Sequence, residues 1–499
     1  MDKLSHILQR KIEKEERYLF DESKMGGGVA TRVFFPLNSS QVSEIVKHCS
    51  KNKVQLTVYG KGTGIAGAAV PFGGIVVSLE KMNKIEEVAF DKSSKKYFLK
   101  AEPSATLSEI RDKLYSSTHF YPVDSTEMGA SIGGTVATNA SGSLSYRFGA
   151  TRKWVKSLEV VLMDGSIHKI ERGEVFADES GVFNIFGKTF TIPDYTMPKC
   201  KNAAGFFAEK GMDIIDLFIG SEGLLGIVTK VEVWLRDKYP SVSVALFFED
   251  ENESFEFLPK IKNENSLTID FIEYFDEGGL DMLREKMERE PLSLNLPKID
   301  KSFSSLLFFD VEIKDGDIKN TLSKISTFDV KWENSWCAWE GIEKERIRIF
   351  RHALPEAVNE YIAEMKRVHP EIHKLGTDFA VSDEKADVLF EFYRSILKKS
   401  GLKYLYFGHI GDSHLHINFL PSNSRELEKG KEVYKEIAQK VIELKGTVSA
   451  EHGIGKLKHS YLEMMYGTEG IDSMREIKKV FDPLFLLNRG NMFSVEGKK

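Results

Sequence analysis

A chain of 499 residues, 41% hydrophobic and 29% charged, is longer than one hydrophobic core supports, so two or three soluble domains are expected. A net charge of −6 with a pI near 6.1 provides no basic field for nucleic acid or an anionic bilayer. Cys49, Cys200 and Cys337 are too few and too scattered for a disulfide framework or an iron–sulfur cluster, which points to a reducing compartment. The first twenty residues form a charged amphipathic run without the apolar centre of a secretory signal. With no long apolar stretch to span a membrane, the expected location is the cytoplasm or the periphery of the inner membrane face.

In chain order, residues 33–79 predict a helix between two strands. After Pro36, the capping candidates Asn38, Ser39 and Ser40 precede Val42, Ile45, Val46 and Cys49, which fall at i, i+3, i+4 and i+7 on one helix face. Residues 54–58 alternate as a strand and 74–79 form the next. Thr106, with Glu109 three residues on, opens a helix through a capping box that turns Leu107, Ile110 and Leu114 inward. Asp164-Gly165 between the apolar runs 157–163 and 166–170 predicts a hairpin. Residues 172–212, rich in Gly, Pro, Lys and Phe, read as a long irregular surface excursion. A strand at 227–235 ends the first region, and Pro240 in the break at 237–241 suits a domain boundary. From 242 to about 420, strands such as 242–248 and 306–311 alternate with helices, including a long charged one at 344–367, as in an α+β domain. Residues 474–493 read as a helix, then Asp482-Pro483, then a Gly/Asn-rich ending that returns to the first domain.

Two tracts suit an extended ligand. Lys61-Gly62-Thr63-Gly64-Ile65-Ala66-Gly67 contains the letters G-x-G-x-x-G, yet Pro71 and Gly73-Gly74 follow and the next element is a strand. No helix N-terminus therefore waits for phosphates, and a Rossmann fold is excluded. The loop's backbone N–H groups can still make an anion nest, the alternative being a tight turn between strands. The second tract, 124–142, includes Ser125, Ser131, Gly133, Gly134, Thr135, Thr138, Asn139 and Gly142. Almost free of large side chains, it lets backbone approach a large planar ligand while hydroxyls hydrogen-bond to it. A flexible linker is disfavoured because Ile132, Val136 and Ala137 are spaced to pack.

Near the C-terminus, His409, His414 and His416 fall within eight residues, and Glu451-His452 follows between small residues. Neutral imidazoles and a carboxylate ligate borderline metals and leave positions open for substrate and water. In a strand beginning at His414, alternation points His414, His416 and Asn418 to one face, while Gly411-Asp412 turns His409 back toward them. A metal that lowers a hydroxyl's pKa, beside a histidine that removes its proton, is the chemistry such a pattern suits.

Together, residues 58–64, 131–139 and 218–227 resemble the FAD-binding motifs of the vanillyl-alcohol oxidase/p-cresol methylhydroxylase (PCMH) flavoproteins. The C-terminal tracts are similar to those of the D-lactate, glycolate and D-2-hydroxyglutarate dehydrogenase branch, and the resemblance runs from about residue 30 to 493. It implies an α+β fold with a two-part PCMH-type FAD-binding domain, formed by 1–238 and a returning segment 451–499. Between them, 239–450 would be an α+β substrate (cap) domain on an antiparallel sheet, carrying metal ligands. The resemblance implies that Lys61 to Gly67 and the second tract surround the FAD pyrophosphate and flavin. Glu222, Gly226 and Ile227 would contact the cofactor as well, Ile227 on its adenine side, and Asn488 would close the site. FAD would be noncovalent, since Ile65 stands where members that attach flavin covalently carry His.

By the same resemblance, His409, His416 and Glu451 are ligands of a divalent metal, Zn²⁺ first, with Fe²⁺ and Mn²⁺ also fitting. Asn418 orients substrate, and His452 accepts its hydroxyl proton as hydride leaves for the flavin. Arg351 matches the branch's carboxylate-binding arginine and Lys374 is a second candidate, although either can be a solvated helix or loop charge. His414 stands where Asn is expected, as a spare ligand or a rim residue. Arg489 and Asn491 depart from the Pro and Lys of the branch's tail. The expected function is metal-assisted, FAD-dependent oxidation of a small D-2-hydroxy acid to the 2-oxo acid, glycolate or D-lactate ahead of D-2-hydroxyglutarate. Electrons would pass to a separate acceptor protein or a quinone/cytochrome chain, with a homodimer as a further expectation. The alternatives are a zinc hydrolase, a flavoenzyme without net redox turnover such as an alkyl-glycerone-phosphate synthase, and a flavin-bearing electron-transfer subunit without its own substrate site.

Overall fold

Asn38 opens the first helix, its side chain accepting from Gln41 N at 3.0 Å. Helix Ser39–Asn52 buries Val42, Ile45, Val46 and Cys49 and ends at Lys53 in the left-handed region. It joins strands of a four-stranded sheet ordered Gln9–Lys11, Arg32–Phe34, Ile75–Ser78, Leu56–Tyr59, the last three parallel. Because Leu56–Tyr59 and Ile75–Ser78 are parallel neighbours, the glycine-rich residues between them form a crossover rather than a tight turn. The structure, a computed structural model, describes residues 4–290 and 298–494.

A second sheet is antiparallel, ordered Ala89–Asp91, Lys96–Ala101, Ile227–Trp234, Val155–Val161, Ile167–Glu171. Its predicted hairpin turns at Asp164-Gly165, where Gly165 has φ +79° and Asp164 Oδ1 accepts from Ser166 N at 2.8 Å. The capping box of helix Leu107–Lys113 forms as expected, Thr106 and Glu109 each bonding the other's backbone N–H.

The third sheet has seven antiparallel strands ordered Ser335–Ala338, Ser241–Phe248, Ser305–Glu312, Ile269–Phe275, Tyr404–Gly408, His416–Phe419, Leu375–Gly376. Strand Ser241–Phe248 is buried on both faces. Val244, Leu246 and Phe248 pack into one cluster with Phe257 and Ile261, whereas Ala245 and Phe247 pack into another with Phe350 and Leu354. This is the antiparallel, helix-covered sheet expected of the cap.

Two expectations are corrected. The final helix is His459–Phe481, starting well before residue 474, with a kink at Gly467 (φ +70°). Beyond it the chain does return to the first sheet, where Leu56 N donates to Leu486 O at 3.0 Å and Asn488 N to Leu56 O at 2.8 Å. Residues 172–212 are largely irregular, as expected, but they are not a surface excursion. They include a hairpin, Val182–Ile185 with Lys188–Thr191, whose buried Phe183 and Phe190 join the main core, and Phe190 meets Phe481 edge-on at 5.2 Å. Phe183, Phe190 and Phe206 of this stretch are core residues.

Candidate active site

A cleft of about 320 Å³ is lined by both glycine tracts and by the turn before strand Ile227–Trp234. From the first tract come Lys61, Gly62, Thr63, Gly64 and Ile65; from the second, Ser125, Ser131, Gly133, Gly134, Thr135 and Thr138. Glu222, Gly226, Ile227 and Asn488 complete the expected set, and Asn491 joins them. Four residues expected to bind the cofactor lie outside the lining. Ala66 offers its carbonyl to Lys456 N at 2.9 Å, and Gly67 (φ +78°) backs onto Met25. Asn139 ends helix Ile132–Thr138 in the left-handed region, its side chain donating to Asn202 O at 3.2 Å and accepting from Arg152 N at 3.0 Å. Gly142 is pressed against the Asp124 carbonyl, leaving no room for a Cβ.

The glycines explain the shape of the cleft. A Cβ on Gly133 would sit 2.7 Å from Pro103 Cβ, and one on Gly226 would sit 2.5 Å from Val160 Cγ1. Gly64 lines the cleft, and a Cβ there would meet nothing within 4 Å. Helix Ile132–Thr138 is capped by Ser131, whose Oγ accepts from Gly134 N at 3.3 Å. Asn488 braces the floor: its Oδ1 accepts from Val58 N at 2.8 Å and its Nδ2 donates to Gly223 O at 2.9 Å. Glu222, a buried non-glycine residue at φ +50°, accepts from Ile454 N at 2.6 Å and Gly455 N at 2.9 Å. Burial raises its pKa even so. Backbone-lined walls with scattered hydroxyls, bare where a Cβ would intrude, fit FAD.

The segment tied to Glu222 also carries Glu451 and His452, both on the cleft wall. Donor atoms of His409, His414, His416 and Glu451 lie within 4.8 Å of one another. Strand Tyr404–Gly408 ends at His409, the turn Ile410–Asp412 reverses the chain, and Ser413, left-handed at φ +53°, leads into His414 and strand His416–Phe419. His414 therefore precedes the strand rather than beginning it.

His409 Nε2 stands 3.4 Å from Glu451 Oε1, and His416 Nε2 3.7 Å from Glu451 Oε2. Behind them, His409 Nδ1 lies 3.0 Å from Glu273 Oε1 as an ion-pair contact, and His416 Nδ1 is hydrogen-bonded to the Thr377 carbonyl at 2.9 Å. Burial pushes Glu451 up, but the charges of Lys201 and His409 outweigh it and hold the carboxyl well below its usual range. Burial, then neighbouring His414, keeps His416 neutral. Burial and Lys201 also oppose a charge on His409, yet Glu451 and Glu273 raise it to about 9. Imidazoles around an ionised, buried carboxylate are a donor set that fits a divalent cation.

Three residues that the sequence did not single out organise this site. Lys201, from the segment read as an excursion, places Nζ against Glu451 Oε1, with both side chains almost fully buried. Glu273, third from the end of the buried strand Ile269–Phe275, links His409 to Arg351, whose Nε is 3.5 Å from Glu273 Oε2. Burial would raise Glu273, but Arg351 and His409 lower it to about 2. Asp378, 1% exposed, lies 3.1 Å from His452 Nδ1 and accepts from Lys458 Nζ at 2.9 Å.

Arg351, on helix Gly341–Val368, stacks over Phe271 and reaches Asp124 Oδ2 at 3.4 Å, at the start of the second glycine tract, and Ser143 Oγ at 3.3 Å, just past its end. It thus lies between cap and cleft. Asn418 is buried, its Nδ2 donating to His416 O at 3.2 Å. Lys374 is exposed, flanks Gly376 beside Asn418, and donates to Asn359 Oδ1 at 3.1 Å. His414 is wholly buried, which removes the rim reading.

A glycine-lined cleft that fits a dinucleotide, joined to a histidine–carboxylate cluster, defines a flavin-binding oxidoreductase. Residues 240–492 match the family described as "FAD linked oxidases, C-terminal domain", and 30–171 that described as "FAD binding domain". The chain belongs to the FAD-linked oxidases. It is similar to the glycolate oxidase subunit GlcD of Bacillus subtilis (strain 168), 28% identical over 487 residues, with 97% of this chain and 93% of that protein covered. It is also similar to the D-2-hydroxyglutarate dehydrogenase of Xanthomonas citri pv. viticola, 28% identical over 476 residues, with 92% and 89% covered. The fold matches the solved 4-ethylphenol oxidase from Gulosibacter chungangensis with a TM-score of 0.68 at 17% identity, covering 97% of this chain and 94% of that one. Among the described residues no helix is long and apolar enough to cross a membrane.

Proposed function

We propose that the protein oxidises a small D-2-hydroxy acid to the 2-oxo acid, with glycolate or D-lactate ahead of D-2-hydroxyglutarate. The observation that carries the proposal is that Glu451 and His452 are adjacent on the cleft wall, one facing the histidine cluster and the other held by Asp378. In this reading His409, His416 and Glu451 hold a divalent cation, with Zn²⁺ first. When bound, FAD supplies the two-electron acceptor and the cation a Lewis acid for the substrate oxygen.

Asp378 fixes His452 through Nδ1, leaving Nε2 to take the hydroxyl proton. Arg351 binds the substrate carboxylate by exchanging its loose 3.4 Å contact with Asp124 for a bidentate pair, while Glu273 keeps the guanidinium in place. Asn418 orients the substrate beside His416, and Lys374 is a rim cation beyond it. Relatives at equal identity are named for glycolate and for D-2-hydroxyglutarate, so preference for the smaller acid rests on this chain's residues. A longer acid needs a second cation for its distal carboxylate, and Lys374 stands exposed, bonded to Asn359 at 3.1 Å.

Anaerobic titration of the yellow protein with glycolate, both lactate enantiomers and 2-hydroxyglutarate, with and without chelator, tests the reading. Bleaching by glycolate or D-lactate that is lost on chelation is expected, as is loss of bleaching with FAD retained in His452→Ala. Bleaching that survives both treatments would remove the cation and His452 from the mechanism.

A further inference from the structure

The expected metal set leaves out a buried histidine that points into the same space. His414 is 0% exposed, its ring centroid lies 4.3 Å from that of His416 and 5.6 Å from that of His409, and a donor atom falls within the 4.8 Å group. Neither ring nitrogen has a hydrogen-bond partner. Nε2 stands 3.3 Å from Asp378 Oδ1, off the line of a hydrogen bond, and Nδ1 has no protein partner at all. An unsatisfied buried imidazole is costly unless something absent from the protein itself completes it.

The backbone is shaped to put the ring there. Ser413 adopts φ +53°, its Oγ donates to Asp383 Oδ1 at 2.6 Å, and the next residue bridges Ala380. Asn, the residue that the resemblance leads one to expect at this position, is shorter and carries an amide that ligates weakly.

We infer that His414 is a fourth protein ligand, so that the cation is held by three imidazoles and one carboxylate. This inference rests on the metal-assisted reading above and deepens it. Four protein donors saturate a tetrahedral ion, whereas a catalytic ion needs open positions. A 2-hydroxy acid presents a hydroxyl and a carboxylate oxygen, so four protein donors with two substrate oxygens call for six-coordination. That reverses the order of ions given above, placing Fe²⁺ or Mn²⁺ ahead of Zn²⁺ in this chain.

The test uses chelator-treated FAD-bound protein reloaded with Co²⁺ or Mn²⁺. His414→Asn should weaken binding of either ion by more than about a hundredfold, beyond what loss of an outer partner costs. The weak d–d bands of six-coordinate Co²⁺ should change in intensity and position in the variant. X-ray absorption of the unmutated Co²⁺ protein should count three imidazoles, a readout that does not depend on the variant folding. Two imidazoles, or a variant with unchanged affinity and spectrum, would overturn the assignment while leaving metal assistance intact. Failure of the unmutated protein to bind any divalent ion would overturn both readings.

Discussion

Lys201→Met removes the ammonium that lies against Glu451. The Lys201 and Glu451 side chains are 6% and 9% exposed, so folding has stripped water from both. Deleting one partner of such a pair leaves a buried carboxylate without its main counter-charge, at a cost of about 3–5 kcal/mol. His409 at 3.4 Å and Ser141 Oγ at 3.2 Å still touch Oε1, which places the expected loss near the lower end, about 3 kcal/mol. If the chain unfolds as one unit, that is roughly a 3 °C fall in Tm. A cation at Glu451 would replace the missing charge, so the loss should shrink when urea unfolding is repeated with saturating Mn²⁺ or Zn²⁺. Adding Glu451→Gln to Lys201→Met should recover much of the deficit, giving a coupling of about 2 kcal/mol in the double-mutant cycle. Additive losses, the same with and without metal, would refute the reasoning.

Gly64→Leu should leave the melting temperature of the FAD-free protein unchanged, because its Cβ meets nothing, yet weaken FAD retention at least about tenfold in a flavin-absorbance titration. Gly226→Leu should instead cost about 1–3 kcal/mol of stability by driving into Val160, so equal effects of the two would discount the cradle. Asp270, buried beside Arg147 where the second glycine tract meets the cap sheet, is raised by burial to about 6, above about 3.9 in an unfolded chain. The folded state holds that proton more tightly, so this contribution is full below the unfolded pKa and vanishes as pH rises through about 6, a span of roughly 3 kcal/mol. Asp270→Asn should therefore flatten the stability–pH curve between about pH 4 and pH 6 in urea unfolding, and an unaltered slope would assign it to other groups. Arg351→Lys keeps the charge but loses the planar fork, and steady-state kinetics should show KM for the hydroxy acid rising about tenfold with a smaller change in kcat.

Sequence patterns exposed whatever depended on near neighbours. The capping box at Thr106, the Asp164-Gly165 hairpin and the helix after Asn38 each place the deciding atoms within a few residues, and each forms. Both glycine tracts were legible because small residues in series leave a gap that only backbone lines. What stayed hidden depended on distant partners. Lys201 meets a carboxylate 250 residues away, and Glu273 looks like any alternating strand residue until His409 and Arg351 close on it. Residues 172–212 misled because Gly and Pro signalled loops while Phe183, Phe190 and Phe206 were finding a core built by later elements. Helix Ile132–Thr138 was obscured by Gly133-Gly134, residues poor in helix propensity that a Ser131 cap and close packing on Pro103 hold in place.

Asp378 and Glu222 together make the cofactor cleft and the histidine cluster one mechanical unit. Asp378, beside the cap's edge strand Leu375–Gly376, accepts from Glu451 N and His452 N at 3.1 Å each and from Ser449 Oγ at 2.7 Å. Glu222, on the cleft wall, takes the N–H groups of Ile454 and Gly455 a few residues on. One short segment is thus clamped by a carboxylate from each half, and Glu451 and His452 lie between the clamps. Swinging the cap away as a rigid body would strip donors from an Asp378 carboxylate held well below its usual pKa by His452 and Lys458 against the effect of burial. An ionised carboxylate losing several hydrogen bonds in the interior costs several kcal/mol, far more than a loop motion at the cleft mouth. Substrate entry through the mouth, with the clamped segment fixed, is therefore the cheaper route, and it keeps His452, Glu451 and the glycine-lined cleft in register.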